Sequence, residues 1–219
     1  MTLLDFARGP ALSVALAVFL VGVMWRLFSL VLLPKAPDNS PAKADSGSAI
    51  GQGFRGFWRH MWPADPYLKS SVFALVNGYA FHIGLAIVVF GFAQHIQFIR
   101  DVFGISWPGL PTGVITLASV ITLASLIGAL VRRLTSPVLK LISTGNDYIT
   151  WLVTVLPVIT GLMTVNHLWF RYETLLALHI LSFALMLIWF PFGKLMHAFL
   201  VFLTRSRTGV VYGRRGVKI

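Results

Sequence analysis

Residues 70–99 contain no Asp, Glu, Lys or Arg, and neither do residues 9–25, 102–131 or 148–170. A fifth run, 174–204, holds a single charge, Lys194. About 20 apolar residues in a helix cross the hydrocarbon of a bilayer, and a charge at its centre is costly. These runs therefore predict five transmembrane helices, at roughly 10–33, 72–97, 112–131, 149–168 and 173–203. The stretch 1–10 carries Asp5 and Arg8, and the apolar run after it is too long for a cleaved signal, so the first helix reads as a retained anchor.

Composition agrees. Of 219 residues, 57% are hydrophobic and 11% charged, too few polar groups to cover a soluble domain. An ordinary cytosolic enzyme is excluded. There is no cysteine, which excludes disulfides, thiolate metal sites and iron–sulfur ligation by this chain. Histidine or methionine would have to hold any redox cofactor.

The net charge of +11 is a topology signal. Arg26, the 34–71 loop, the 132–148 loop, Lys194 and the C-terminal tail hold 15 of the 18 Lys and Arg residues; Arg8, Arg100 and Arg171 lie on the other side. The positive-inside rule then places the N-terminus outside and the C-terminus in the cytoplasm of a cell's inner membrane. No nucleic-acid partner is expected. The loop divides into a Pro, Ala, Ser and Gly-rich segment, 34–53, and an aromatic–basic segment, Phe54–Trp62. The latter suits an amphipathic piece in the inner interface, with Arg55 and Arg59 towards lipid phosphates.

Six histidines carry the candidate chemistry: His60, His82, His95, His167, His179 and His197. Those inside spans are costly unless they are bonded or functional. On one continuous fifth helix, His179 and His197, 18 residues apart, share a face after about five turns and stand roughly 27 Å apart. On an antiparallel second helix, His82 and His95 are separated by roughly 20 Å. Each membrane level then offers one imidazole from helix two and one from helix five: His82 with His197, and His95 with His179. Bis-histidine ligation of two stacked b-type haems requires this pattern. Gly78, Gly84, Gly91 and Gly161 would admit a flat macrocycle, although ordinary helix packing also enriches small residues.

FHIG at Phe81–Gly84, RRLTSP at Arg132–Pro137, STGND at Ser143–Asp147, LALHI at Leu176–Ile180 and FPFGKLMHAF at Phe190–Phe199 resemble the membrane cytochrome b (gamma) subunit of respiratory nitrate reductase and its relatives, including heterodisulfide-reductase-linked membrane cytochromes b. The resemblance covers roughly residues 72–203. It implies haem ligands at His82, His197 and His179. The family's second ligand on helix two stands where this chain has Phe92, so His95, one turn further on, takes that place, with His167 as the alternative. Gln94 or Gln97 is an acceptor for the other ring nitrogen of His95. The family's quinol-site lysine has no counterpart in the stretch 104–113; His95, Trp107 and Arg100 mark a possible quinone pocket. Arg132, Arg133 and Lys140 would pair with haem propionates or with a partner, or serve the positive-inside rule alone.

The expectation is an all-α membrane protein. Residues 1–33 are the first transmembrane helix, 34–71 a cytoplasmic loop with an interfacial segment, 72–203 a four-helix haem-binding core and 204–219 a basic cytoplasmic tail. Two haems b are expected, one at minimum, between helices two and five, and quinone or menaquinone is the substrate. The function implied is a haem-b anchor subunit that exchanges electrons between the quinone pool and a cytoplasmic iron–sulfur or catalytic oxidoreductase subunit. The alternative is a haem-free five-helix transporter or assembly subunit.

Overall fold

The computed structural model describes residues 1–34, 40–44, 46–63 and 65–217. Residues 35–39, 45 and 64 of the expected loop and 218–219 of the expected tail lie outside the described residues, Lys35, Asp38, Asp45 and Lys218 of the charge count among them.

Among the described residues every element is helical and no strand occurs. The helices are α1 (Leu3–Leu32), α2 (Ala49–Arg59), α3 (Leu68–Gly91), α4 (Ala93–Phe103), α5 (Thr112–Thr135), α6 (Pro137–Ile142), α7 (Gly145–Val165), α8 (Tyr172–Trp189) and α9 (His197–Arg214). Short 3₁₀ turns lie at Asp65–Tyr67 and Lys194–Met196. α1, α3, α5, α7 and α8 are long and apolar enough to cross a membrane, so the chain is a multi-pass membrane protein by length and composition.

Two expected helices are shorter than the charge-free runs. The second does not continue to residue 97: α3 stops at Gly91, Phe92 is extended (φ −78°, ψ 127°), and α4 starts anew at Ala93. The backbone groups released there are satisfied by tertiary partners. Val88 C=O accepts from His95 Nδ1 at 3.0 Å, Phe90 C=O from Trp107 Nε1 at 2.6 Å, and Gly91 C=O from the Leu110 amide at 2.8 Å. Those bonds hold the break open, since an unmet carbonyl in hydrocarbon is costly. A Cβ on Gly91 would lie 2.7 Å from Leu110 Cδ1, so glycine permits the approach.

The fifth helix likewise ends at Trp189 rather than near residue 203. Pro191 cannot donate to the helical ladder, and Gly193, extended at φ −99° and ψ −176°, precedes a 3₁₀ turn. His179 and His197 therefore stand on separate helices, α8 and α9, and the count of whole turns between them does not apply.

The chain forms two compact units. One joins Met1–Phe19 to Phe73–Trp189; the other joins Leu20–Val72 to the chain from Phe190 onward. In the first, Ala15 of α1 packs with Ala184 and Leu187 of α8, flanked by Leu12, Leu16, Phe19 and Phe183. α3 meets α5 where Gly84 leaves room for the buried Thr122, onto whose hydroxyl a Cβ would collide. Trp151 Nε1 donates to Leu126 C=O at 2.8 Å and ties α7 to α5. At the end of α5, Arg133 pairs with Asp147 at 3.0 Å and donates to Ser143 Oγ at 2.8 Å. Asp147 also closes a capping box with Thr144 at the start of α7.

In the second unit, α2 packs on α9. The two helices touch backbone to backbone at Gly56 and Gly209, and a Cβ on either glycine would collide with the other helix. Phe57 stacks on Phe202 with centroids 5.4 Å apart and planes at 16°. The expected basic tail is thus helical as far as Arg214. Gly22 of α1 accommodates the ring of Pro191 in the same unit, 2.6 Å from where its own Cβ would stand.

Candidate functional site: a paired-imidazole centre

The break at Phe92 decides where His95 goes. Three residues into the new helix, its ring comes back beside α8, and the His95 and His179 rings lie 6.1 Å apart between centroids with planes only 15° from parallel. Both side chains are half-buried. Phe92 closes one flank edge-on to His95, with centroids 5.2 Å apart.

Each ring is held by one nitrogen. His95 Nδ1 bonds Val88 C=O. A carbonyl only accepts, so the proton sits on Nδ1 and neutral His95 presents the lone pair of Nε2. His179 Nδ1 lies 3.2 Å from Thr160 Oγ1. Thr160 is itself fixed, donating to Leu156 C=O at 2.8 Å, with Ser182 Oγ 3.0 Å away. Ser182 in turn donates to His179 C=O at 2.8 Å, so one hydroxyl from α7 and one from α8 fix both ends of the same histidine. Gly161 completes the wall: its Cβ would stand 3.1 Å from His179 Cε1 and 3.4 Å from Nδ1. Of the four glycines read as room for a macrocycle, Gly161 stands against a candidate ligand, Gly84 against Thr122 and Gly91 against Leu110, while Gly78 meets nothing within 4 Å among the described residues.

The two rings are stacked, with centroids 6.1 Å apart and planes 15° from parallel; two imidazoles that shared a metal through bonds of about 2 Å would have centroids about 6 Å apart. Outer anchoring of each ring by a backbone or hydroxyl partner is what ligating histidines have. Among the described residues no group of three or more His, Cys, Asp or Glu side chains converges.

His82 and His197 belong to different units. His82 Nδ1 bonds Gly78 C=O at 2.7 Å, one turn back in α3. His197 Nδ1 bonds Lys194 C=O at 2.7 Å in the 3₁₀ turn that opens α9. Both are exposed, and both carry the Nδ1–H tautomer for the same reason as His95. His167, the alternative partner for His179, lies instead in the α7–α8 connection at a positive φ of 50°, its ring 5.3 Å from Tyr172. His60 caps its own helix through Gly56 C=O at 2.6 Å.

Several expected roles go elsewhere. The acceptor for His95 is Val88 C=O, and Gln97 bonds Asp101 at 3.1 Å instead. Trp107 commits its indole N–H to Phe90 C=O, which removes it as a donor to a quinone. Arg133 is held by Asp147 and Ser143, and Arg132 lies over the Phe73 ring at 5.4 Å. Thr160 and Ser182 are the residues sequence reasoning missed. Thr160 precedes Gly161, and Ser182 lies one helical turn past His179, so a hydroxyl at helical spacing from an intramembrane histidine was the available signal.

No family model matches the chain. A protein of Nitratidesulfovibrio vulgaris, named simply "Protein", is 29% identical over 223 residues, a match that spans 96% of this chain and 94% of that one.

Proposed function

We propose that the chain is a haem-b anchor subunit of a respiratory oxidoreductase complex in the inner membrane, with the N-terminus outside and the C-terminus in the cytoplasm. It passes electrons between the quinone or menaquinone pool and a cytoplasmic iron–sulfur or catalytic subunit. The observation that carries this reading is the His95–His179 pair, two anchored rings 6.1 Å apart and nearly parallel. A haem bound there supplies one-electron chemistry, with no open position for O₂.

The chain's own residues do the rest. Val88 C=O and Thr160 hold the two rings in register, and the Nδ1–H tautomer keeps a lone pair on Nε2 of His95. Gly161 and Phe92 shape the space beside the rings. His82 and His197, with Nδ1 likewise anchored on carbonyls, are the proposed ligands of a second haem nearer the cytoplasm. The basic 132–148 loop and the basic tail are the proposed docking surfaces for an iron–sulfur partner.

Reduced-minus-oxidised spectra of single variants test the assignment. His95→Phe or His179→Ala should remove one haem and leave the other, and electron transfer to quinone should slow severely. His82→Ala and His197→Ala should both remove the remaining haem. Full haem content in His95→Phe, or loss of different haems in His82→Ala and His197→Ala, would refute the pairing.

A further inference from the structure

Gly84 and Gly91 mark the side of α3 that faces α5: a Cβ on the first would meet Thr122, and one on the second Ile115. At about 100° per residue, the fourth position after Gly91 on an unbroken helix lies within about 40° of that same side. An unbroken α3 would therefore aim residue 95 at α5. The His95 ring instead lies beside His179 of α8, and its Nδ1 is 3.0 Å from Val88 C=O. Val88 is seven residues back, about 10 Å along a continuous helix, so this bond exists only because the helix is broken.

In an unbroken helix the carbonyls of Phe90 and Gly91 would accept from the amides of residues 94 and 95. Here a segment beyond α4 takes both. Trp107 Nε1 donates to Phe90 C=O at 2.6 Å, and the Leu110 amide donates to Gly91 C=O at 2.8 Å. The indole leans on the Phe90 ring with centroids 6.4 Å apart. A Cβ on Gly109 would lie 3.3 Å from Ala93 Cα and 3.4 Å from Gly91 O, so the segment sits directly on the break. The Leu110 bond uses a backbone N–H, which any residue but proline carries. The Phe90 bond needs the tryptophan side chain.

We propose that Trp107 is a positioning residue for His95: by keeping Phe90 C=O out of the helical ladder, it holds α3 broken and aims the imidazole at α8 instead of α5. Without the indole N–H, the helical donor for that carbonyl is the Gln94 amide. Pairing with it adds a turn to α3 and turns His95 away from His179. The effect on a bound haem rests on the electron-transfer reading; the redirection of the ring does not.

The chain has no cysteine, so two introduced ones report the direction of α4 in the full-length protein in lipid nanodiscs. Spin labels at Val102→Cys on α4 and Ile127→Cys on α5, both exposed positions, are read by double electron–electron resonance. Val102 stands about 15 Å of helix past the break. Trp107→Phe keeps an aromatic ring and loses the donor, while Gly109→Ala pushes the segment that carries the indole off the break. Each should shift the distance, or add a second population, by about 5 Å or more. Trp151→Phe is the control: it removes another indole-to-carbonyl bond, to Leu126, away from the break, and should keep the parent distance. In the haem-loaded protein Trp107→Phe should also shift the low-spin electron paramagnetic resonance signal and the midpoint potential of one haem, and Trp151→Phe should shift neither. An unchanged distance in either Trp107→Phe or Gly109→Ala overturns the proposal, and so does an equal shift in Trp151→Phe. A chain without haem overturns the electron-transfer reading instead, and the label distances still decide the role of Trp107.

Discussion

Gly161→Ala probes the paired-imidazole centre without touching either imidazole. The added Cβ would stand 3.1 Å from His179 Cε1. Carbon atoms in comfortable contact sit at about 3.5–4.0 Å, so the ring has to move by roughly 0.5 Å. His179 Nδ1 already lies 3.2 Å from Thr160 Oγ1, and a retreat from Gly161 by that much takes the contact beyond hydrogen-bond range. The lost bond is worth about 1 kcal/mol and the overpacking about another. Together, about 2 kcal/mol corresponds to roughly 30-fold weaker retention of a group ligated by His179. The assay is haem-to-protein ratio after purification and dilution, with the low-spin signal followed by electron paramagnetic resonance. Gly113→Ala is the control, because a Cβ there meets nothing within 4 Å among the described residues. A Gly161→Ala protein with the haem content, dissociation rate and low-spin signal of the parent would refute the argument that the Gly161 wall and Thr160 position His179.

Other consequences concern the scaffold. Gly84→Val forces a side chain against Thr122 and should destabilise the α3–α5 contact by about 2 kcal/mol, seen as a lower thermal midpoint in detergent. Asp147→Ala removes both the partner of Arg133 and the capping box of α7, at a cost of about 3 kcal/mol; the double variant Arg133→Gln/Asp147→Ala should cost less than the sum of the singles in the same melt. Reporter fusions after Ile219 and within residues 98–111 should report opposite sides of the membrane, and an outside signal from the C-terminal fusion would reverse the topology.

The spans were legible because charge exclusion from hydrocarbon is a property of each residue, readable without its neighbours. Their ends were less so. Pro191 stands in plain view, yet the apolar run continues past it through Phe192, and hydropathy alone carries the helix on. The stop at Gly91 depends on Trp107 and Leu110, which cap carbonyls from beyond the next helix; no local signal at Phe92 states it. The meeting of the His95 and His179 rings was legible from the spacing of the histidines, and the two rings do lie 6.1 Å apart although the continuous helices that motivated the expectation do not exist. Thr160 and Ser182 were hidden because a hydroxyl in a membrane helix most often bonds its own backbone, as Thr160 also does to Leu156. The seam of α2 and α9 joins residues about 150 positions apart, and a scatter of glycines gives no pairing by itself.

The most direct test of the central claim is haem stoichiometry of the purified wild-type chain by pyridine haemochrome, paired with electron paramagnetic resonance of the oxidised protein. The account predicts low-spin, bis-histidine haem b at two per chain. A folded chain from haem-replete cells that carries no haem would contradict it.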